Sequence, residues 1–290
     1  MTLEKKHNLT GWAFLAPATF LIAVFSFWPM IKALVLSFQT GKGRNMQMAG
    51  FTNYIRMFQD DVFIQSIKNT FFYFIIQVPI MLVVALVLAC ILNKKDLRFK
   101  GFFRTMIFVP CTTSLVAYSI IFRSLFANNG LVNYVLVNIG ILDKPYNFLT
   151  QPFAAKMVIL LGLLWRWTGY NMVFFLSGLQ NIEYSVYEAA KIDGASAIQT
   201  FFKITVPLLK PTILLTAIMS TNGTLQLFDE SVNLTDGGPA NASISMSHYI
   251  YNLCFKYVPN FGYAAAMSFF ILLLVAVLAF IQMRVGDKRD

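Results

Sequence analysis

Between Asn69 and Leu92 the chain runs without one charged side chain. A helix advances about 1.5 Å per residue and the hydrocarbon layer of a bilayer is about 30 Å thick, so a span needs about 20 mostly apolar residues. Comparable uncharged runs lie at Trp12–Met30, Thr105–Phe122, Thr212–Phe228 and Val258–Met283, and Met157–Ile182 is interrupted by Arg166 alone. Breaks separate them at Gly41–Gly43, Asn93–Asp96, Asn128–Gly130, around Glu188 and at Asp236–Pro239. In lipid the backbone must satisfy its own hydrogen bonds, which a helix does. The pattern predicts an all-α integral membrane protein, one transmembrane domain over 1–290. Its six transmembrane helices lie at roughly 11–38, 66–93, 104–126, 153–182, 210–230 and 258–284.

Composition supports a bilayer setting. The chain is 57% hydrophobic and 12% charged, against about 25% charged residues in soluble domains. The formal net charge of +10 does not read as a nucleic-acid surface, because the basic residues sit in short clusters beside apolar runs. They concentrate at the N-terminus (Lys5, Lys6), between the second and third spans (Lys94, Lys95, Arg98, Lys100, Arg104), in the Glu188 loop (Lys191, Lys203, Lys210) and at the C-terminus (Arg284, Lys288, Arg289). The opposite loops hold Lys42, Arg44, Arg56, Lys144 and Lys256. The positive-inside rule then places both termini and the Glu188 loop in the cytoplasm. Trp12–Met30 is too long for the apolar core of a cleaved signal and reads as an uncleaved first span. Cys90, Cys111 and Cys254 read as small buried apolar residues, with no disulfide framework and no zinc spacing. A bacterial inner membrane fits these features.

Outside the spans, Phe51–Phe58 and Gly130–Tyr134 read as short amphipathic helices, either lying in the interface or meeting an external partner. Pro79 and Pro110 fall inside spans, where they kink helices that neighbours re-satisfy.

The 183–209 segment is a polar island between two spans. Tyr184–Lys191 is rich in helix formers, with Glu183 at its start, where negative charge is favoured. Gly194 permits a tight left-handed turn and Ser196 can cap a second short helix. Phe201, Phe202, Ile204 and Val206 give that helix an apolar side, Pro207 closes it, and Pro211 opens the fifth span. On physics alone the island is either an interfacial loop or a docking element.

The run Glu188-Ala-Ala-Lys-Ile-Asp-Gly-Ala-Ser-Ala197, with Pro207 at the matching distance, resembles the coupling (EAA) loop of ABC importer permeases. The resemblance implies the type I importer permease fold, with this loop as a cytoplasmic coupling helix seated in a cleft of an ATPase subunit. It implies that Glu188 faces a basic residue there, that Ala189 and Ala190 allow close packing, and that Gly194 makes the turn beside Asp193. The chain has no GxxxxGK[ST] phosphate loop; its one GKG, Gly41–Gly43, lacks the spacing. ATP and Mg therefore belong to a partner ATPase, no cofactor belongs to this chain, and the chain is a transport subunit rather than an enzyme. Phe14–Pro17, Gly50–Tyr54, Phe228–Glu230 and Leu234–Pro239 are similar to segments of maltose-type carbohydrate permeases. This narrows the resemblance to an oligosaccharide importer. The implied partners are a second homologous permease, two ATPase subunits and an extracytoplasmic sugar-binding protein.

A sugar path needs aromatic faces for rings and hydrogen-bonding groups for hydroxyls. The fourth span offers Trp165, Trp167, Gly169, Tyr170 and Asn171, the fifth Thr221, Asn222, Thr224 and Gln226. Intramembrane polar side chains usually face a bundle interior or a water-filled path. For the amides and hydroxyls the alternative is interhelical hydrogen bonding, and for Trp165 and Trp167 it is packing or an interfacial belt. In the family, cavity residues come from these stretches. Arg166 lies roughly 24 Å above Ile182 and Asp229 and Glu230 roughly 27–29 Å above Lys210, at 1.5 Å per residue. Arg166 is therefore expected to pair with Asp229 or Glu230 near the outer end of the path, as a gate, a bridge or a sugar contact; the alternative is a snorkelling arginine. Rival functions are a permease for another polar solute such as glycerol phosphate, an ion-coupled carrier, and a membrane-embedded enzyme. The carrier would want carboxylates along its path, and the enzyme clustered His or facing carboxylates. The chain has two His, and adjacent Asp229 and Glu230 do not face each other on a helix.

Overall fold

The computed structural model describes residues 3–42, 45–94 and 96–286, with the backbone alone for 3–9, 42 and 45. Of the residues that argue for orientation, Arg44, Lys95, Lys288 and Arg289 lie outside the described residues, as do the side chains of Lys5, Lys6 and Lys42. The order is α1 (Leu3–Ile22), α2 (Trp28–Ser37), β1 (Gln39–Lys42), β2 (Asn45–Met48), α3 (Thr52–Met57), α4 (Asp61–Asn93), α5 (Lys100–Thr112), α6 (Leu115–Leu125), α7 (Leu131–Asn138), α8 (Pro152–Gln180), α9 (Tyr184–Ile192), α10 (Ala197–Thr200), α11 (Val206–Leu208), α12 (Lys210–Leu225), α13 (Asp229–Thr235), α14 (Met246–Tyr251) and α15 (Phe261–Gly286). Short π-helical turns join α1 to α2, α10 to α11, and follow α14.

Among the described residues, four helical segments are long and apolar enough to cross a bilayer: Thr10–Ser37, Asp61–Asn93, Pro152–Gln180 and Phe261–Gly286. Two bent pairs, α5 with α6 and Ala197–Leu208 (α10 through α11) with α12, bring the spans to six when each pair counts as one. The expected short helices at Phe51–Phe58 and after Gly130 are α3 and α7. The small hairpin β1–β2, paired antiparallel with Gln39 opposite Met48, was not read from the sequence.

The chain forms two compact units: the residues up to Asp60 with Ile250–Phe270, and Asp61–Tyr249 with the chain from Ile271. In the first, Asn53 is buried and its Nδ2 donates to the carbonyls of Ser37 (2.9 Å) and Gln39 (2.8 Å), fixing α3 against the end of α2. The Tyr263 hydroxyl donates to Asp60 Oδ2 at 2.8 Å, and the Arg56 guanidinium lies 4.4 Å from the centre of the Tyr263 ring.

The second unit is built on α4 against α8. One apolar cluster joins Ala85, Ala89 and Leu92 of α4 to Met172, Phe175 and Leu179 of α8. Another joins Tyr73, Tyr118, Phe122, Ile159, Leu163 and Leu234. Two glycines on one face of α8 decide how the third span meets it. A Cβ at Gly169 would run into the carbonyl of Ile107 in α5, and one at Gly162 into the hydroxyl of Tyr118 in α6. Small residues let helices approach this closely in lipid, where packing drives association. The third span can make both contacts because it breaks after Pro110, with α5 and α6 at 98°. Thr112 and Thr113 hydroxyls both donate to the Val109 carbonyl at the break (2.9 and 3.2 Å). Pro79, by contrast, sits inside the continuous helix α4.

Candidate functional site

Two places in the second unit carry chemistry. The first is the 183–209 loop. Helix α9 ends in a glycine turn: Gly194 takes φ +76°, its N–H donates to Lys191 O (3.2 Å), and Ala195 N–H donates back to Ala190 O (2.9 Å). A side chain at such a φ is strained, which is why glycine stands there. Ser196 then caps α10 in a reciprocal box: Gln199 N–H donates to Ser196 Oγ (3.3 Å) and Ser196 N–H to Gln199 Oε1 (2.8 Å). Ala190 is buried at the turn, while Glu188, Ala189, Asp193 and Pro207 are exposed. The side chains of Ile192, Ile198 and Phe202 are also exposed. Thr205 Oγ1 donates to the Tyr187 hydroxyl at 3.4 Å, tying the two halves. Behind the loop a hollow of about 860 Å³ is lined by Asn93, Lys94, Asp96, Tyr184, Tyr187 and Lys191, among others.

The second place is a cavity of about 470 Å³ between α4, α8, α12 and the start of α13. Helix α8 lines it with Leu163, Arg166, Trp167, Tyr170 and Asn171, and α12 with Met219, Ser220, Gly223 and Thr224. The α8 residues follow the i, i+3, i+4, i+7, i+8 spacing of one helix face. Gln226, Asp229 and Glu230 close one side. Of the sequence-derived path residues, Trp167, Tyr170, Asn171, Thr224 and Gln226 thus come together. The other four point elsewhere. Trp165 stacks on Tyr118, ring centres 5.8 Å apart. Gly169 meets α5, and Thr221 accepts from Gln282 Nε2 of α15 at 2.7 Å. Asn222 is exposed and accepts from Gln226 Nε2.

Sequence reasoning missed Gln77, Met81 and Ser220. Thr224 Oγ1 donates to Gln77 Oε1 (2.6 Å), Ser220 Oγ to Asn171 Oδ1 (3.2 Å), and Asn171 Nδ2 approaches Met81 Sδ at 3.5 Å. The signal was present: Gln77 is an amide in the middle of the uncharged run Asn69–Leu92.

Arg166 is 6% exposed and Glu230 4%. The expected direct pairing is absent: among the described residues neither Asp229 nor Glu230 comes within 4.0 Å of the guanidinium. Ring faces hold the guanidinium instead, 5.6 Å from the centre of Tyr118 and 5.4 Å from that of Trp167. Both charged groups nevertheless line the same cavity.

A long-helix membrane fold with an exposed helix–turn–helix between two spans fits a transport permease. The chain belongs to the family described as the binding-protein-dependent transport system inner membrane component, whose model matches residues 61–289. This is the ABC importer permease family read from the coupling loop, and its members are multi-pass membrane transport subunits rather than enzymes. The chain is 51% identical to the lactose transport system permease protein of Rhizobium radiobacter, over 99% of this chain and 97% of that one. It is 31% identical to the arabinooligosaccharides transport system permease protein of Bacillus subtilis, over 95% and 88%. In fold it resembles a chain of a bacterial ABC transporter involved in the import of the acidic polysaccharide alginate. There the TM-score is 0.87 and the identity 23%, with 99% of this chain and 98% of that one covered.

Proposed function

We propose that this chain is one permease subunit of an ATP-driven oligosaccharide importer. The observation that carries the reading is the cavity that gathers Trp167, Tyr170, Asn171, Thr224 and Gln226, with the exposed 183–209 loop on the same chain. Rings supply stacking faces and the amides and hydroxyls meet sugar hydroxyls. The similar permeases of Rhizobium radiobacter and Bacillus subtilis, of a lactose and an arabinooligosaccharides transport system, support the same class. A second homologous permease supplies the other half of the path, and two ATPases seat the two coupling loops. Glu188, Ala189, Ala190, Asp193, Gly194 and Pro207 form this chain's part of that joint. An extracytoplasmic binding protein delivers the sugar. Both termini and the coupling loop lie on the cytoplasmic side of the inner membrane.

ATP binding favours the state in which the ATPases are closed and the cavity faces outward; hydrolysis returns it inward. Such a shift needs ATP to bind one state more tightly than the other. Nothing covalent happens in this chain. A glycerol phosphate substrate is disfavoured, because the one arginine of the cavity shares it with Asp229 and Glu230.

The test is ATPase activity of the reconstituted complex with its binding protein, across oligosaccharides and glycerol phosphates. Stimulation by a sugar that Glu188→Arg abolishes while the complex still assembles is the expected result. Stimulation by no sugar, or by glycerol phosphate alone, sinks the reading.

A further inference from the structure

The cavity holds an unresolved polar balance. Nε and Nη1 of Arg166 and Oε1 of Glu230 are buried and have no hydrogen-bond partner. Buried polar groups are nearly always partnered, and a buried charge left alone is among the costliest arrangements in a protein. Their charges attract across the cavity, but among the described residues no ion pair forms between them within 4.0 Å, so these atoms stay unbonded. The guanidinium lies against the Tyr118 and Trp167 rings, which favour this placement.

Three ligand chemistries can be compared. An anion satisfies Arg166 but brings its charge against Glu230 and Asp229, which line the same space. An ammonium satisfies the carboxylates and meets Arg166. A hydroxyl does both, because its oxygen accepts from the guanidinium and its proton is donated to the carboxylate. Two neighbouring hydroxyls on one ring serve both orphans together. Trp167 and Tyr170 offer aromatic faces in the same cavity for the ring that carries them.

We propose that Arg166 and Glu230 are the specificity-determining pair of this permease, taking adjacent hydroxyls of an uncharged sugar unit between them, and that the carboxylates exclude acidic saccharides. The inference rests on the oligosaccharide reading above and adds to it the charge class of the substrate and the residues that read it.

The experiment uses the complete permease–ATPase complex in lipid nanodiscs. The binding protein is left out so that its own selectivity does not enter. Saturation-transfer NMR gives affinities for lactose, maltose, cellobiose and arabinobiose. The best binder is then compared with its monodeoxy analogues and with its uronate form. Losing a hydroxyl that serves a buried charged group should weaken binding about 10–100-fold. Two analogues lacking adjacent hydroxyls should show this loss, and the uronate should bind at least as poorly. In Glu230→Gln and Arg166→Gln complexes the parent sugar weakens and the penalty for the matching deoxy analogue disappears. A merely structural role would lower every sugar alike. If all monodeoxy analogues bind the unaltered complex within about threefold of the parent, water fills the gap and the pair is overturned. Equal binding of the uronate also overturns it, and both measurements stand even if the variants fail to fold. Failure of every neutral sugar to bind is a different result and overturns the oligosaccharide reading itself.

Discussion

Gly169 and Gly223 separate packing from transport in one comparison. Gly169 lies on the α8 face against α5, where an added Cβ would meet the Ile107 carbonyl and approach Phe108 Cα at 3.1 Å. Those neighbours are backbone and cannot rotate away, so α5 must move off α8. Overpacking of this kind costs about 1–3 kcal/mol. A gap of 0.5–1 Å along the rest of the interface also forfeits a quarter to a half of each dispersion contact. Replacing a helical glycine by alanine returns at most about 1 kcal/mol. Gly169→Ala should therefore destabilise by about 1–3 kcal/mol net. That corresponds to about 2–12 °C in Tm at the usual 2–4 °C per kcal/mol for large domains. Gly223 lines the cavity with nothing within 4 Å of its would-be Cβ. Gly223→Ala should hold or raise the Tm, while Gly223→Val takes up cavity space and weakens sugar-stimulated ATPase. The assay is thermal melting of the purified complex beside ATPase stimulation. A Tm for Gly169→Ala equal to or above that of the unaltered complex would refute the argument that backbone contact dictates glycine there. So would a stability loss for Gly223→Ala larger than that for Gly169→Ala.

Other consequences can be checked separately. Ser196→Ala removes one half of the capping box and should cost about 1 kcal/mol, seen as faster amide exchange at 197–200 with the spans unchanged. Gly194→Val forces a β-branched side chain to φ +76°, at about 1–2 kcal/mol, and should lower sugar-stimulated ATPase more than it lowers Tm. Tyr118→Phe deletes a buried hydroxyl that has no partner and should leave Tm unchanged or raised, whereas Tyr118→Ala loses about 3–5 kcal/mol of packing; a clear drop in Tyr118→Phe would show that the hydroxyl is bonded after all. Asn69 Nδ2 donates to the carbonyls of Asn241 (3.1 Å) and Ile244 (2.9 Å), so Asn69→Ala should loosen the 236–245 loop by about 1–3 kcal/mol, read as faster proteolysis there.

The parts of this molecule legible in sequence are those whose chemistry is local. The Gly194 turn and the Ser196 cap are settled by groups within five residues of one another. The spans are settled by runs that no water-facing element would carry. The cavity was half legible for a geometric reason. Trp165, Arg166, Trp167, Gly169, Tyr170 and Asn171 are neighbours in sequence, but successive residues on a helix point about 100° apart, so they cannot all face one path. Leu163, Arg166, Trp167, Tyr170 and Asn171 share the cavity face, while Gly162, Trp165 and Gly169 share the face that receives α5 and α6. Depth arithmetic placed Arg166 level with Asp229 and Glu230, and all three do line one cavity. What it could not supply was the competing hold of the Tyr118 ring, which arrives from the third span by way of the break after Pro110. The strand β1, Gln39-Thr-Gly-Lys42, likewise carries no alternation of apolar and polar residues.

The bonds that close the 183–209 loop also set its mechanics. A turn whose donors and acceptors are spent on one another, from Ala190 to Ala195 and from Ser196 to Gln199, has little slack left to take up. Under the proposed coupling role, a displacement imposed at Glu188 is carried onward as motion instead of being lost in loop rearrangement. The path then turns by 71° at Leu209, where the loop meets the span that lines the cavity; Leu209 is buried and bonded on both sides, its N–H donating to Thr205 O (3.0 Å) and its carbonyl accepting from Ile213 N–H (2.8 Å). In the importer reading the element is a stiff strut that meets the cavity-lining span at a set angle, and the length of its stroke is the quantity a cavity of fixed size must match.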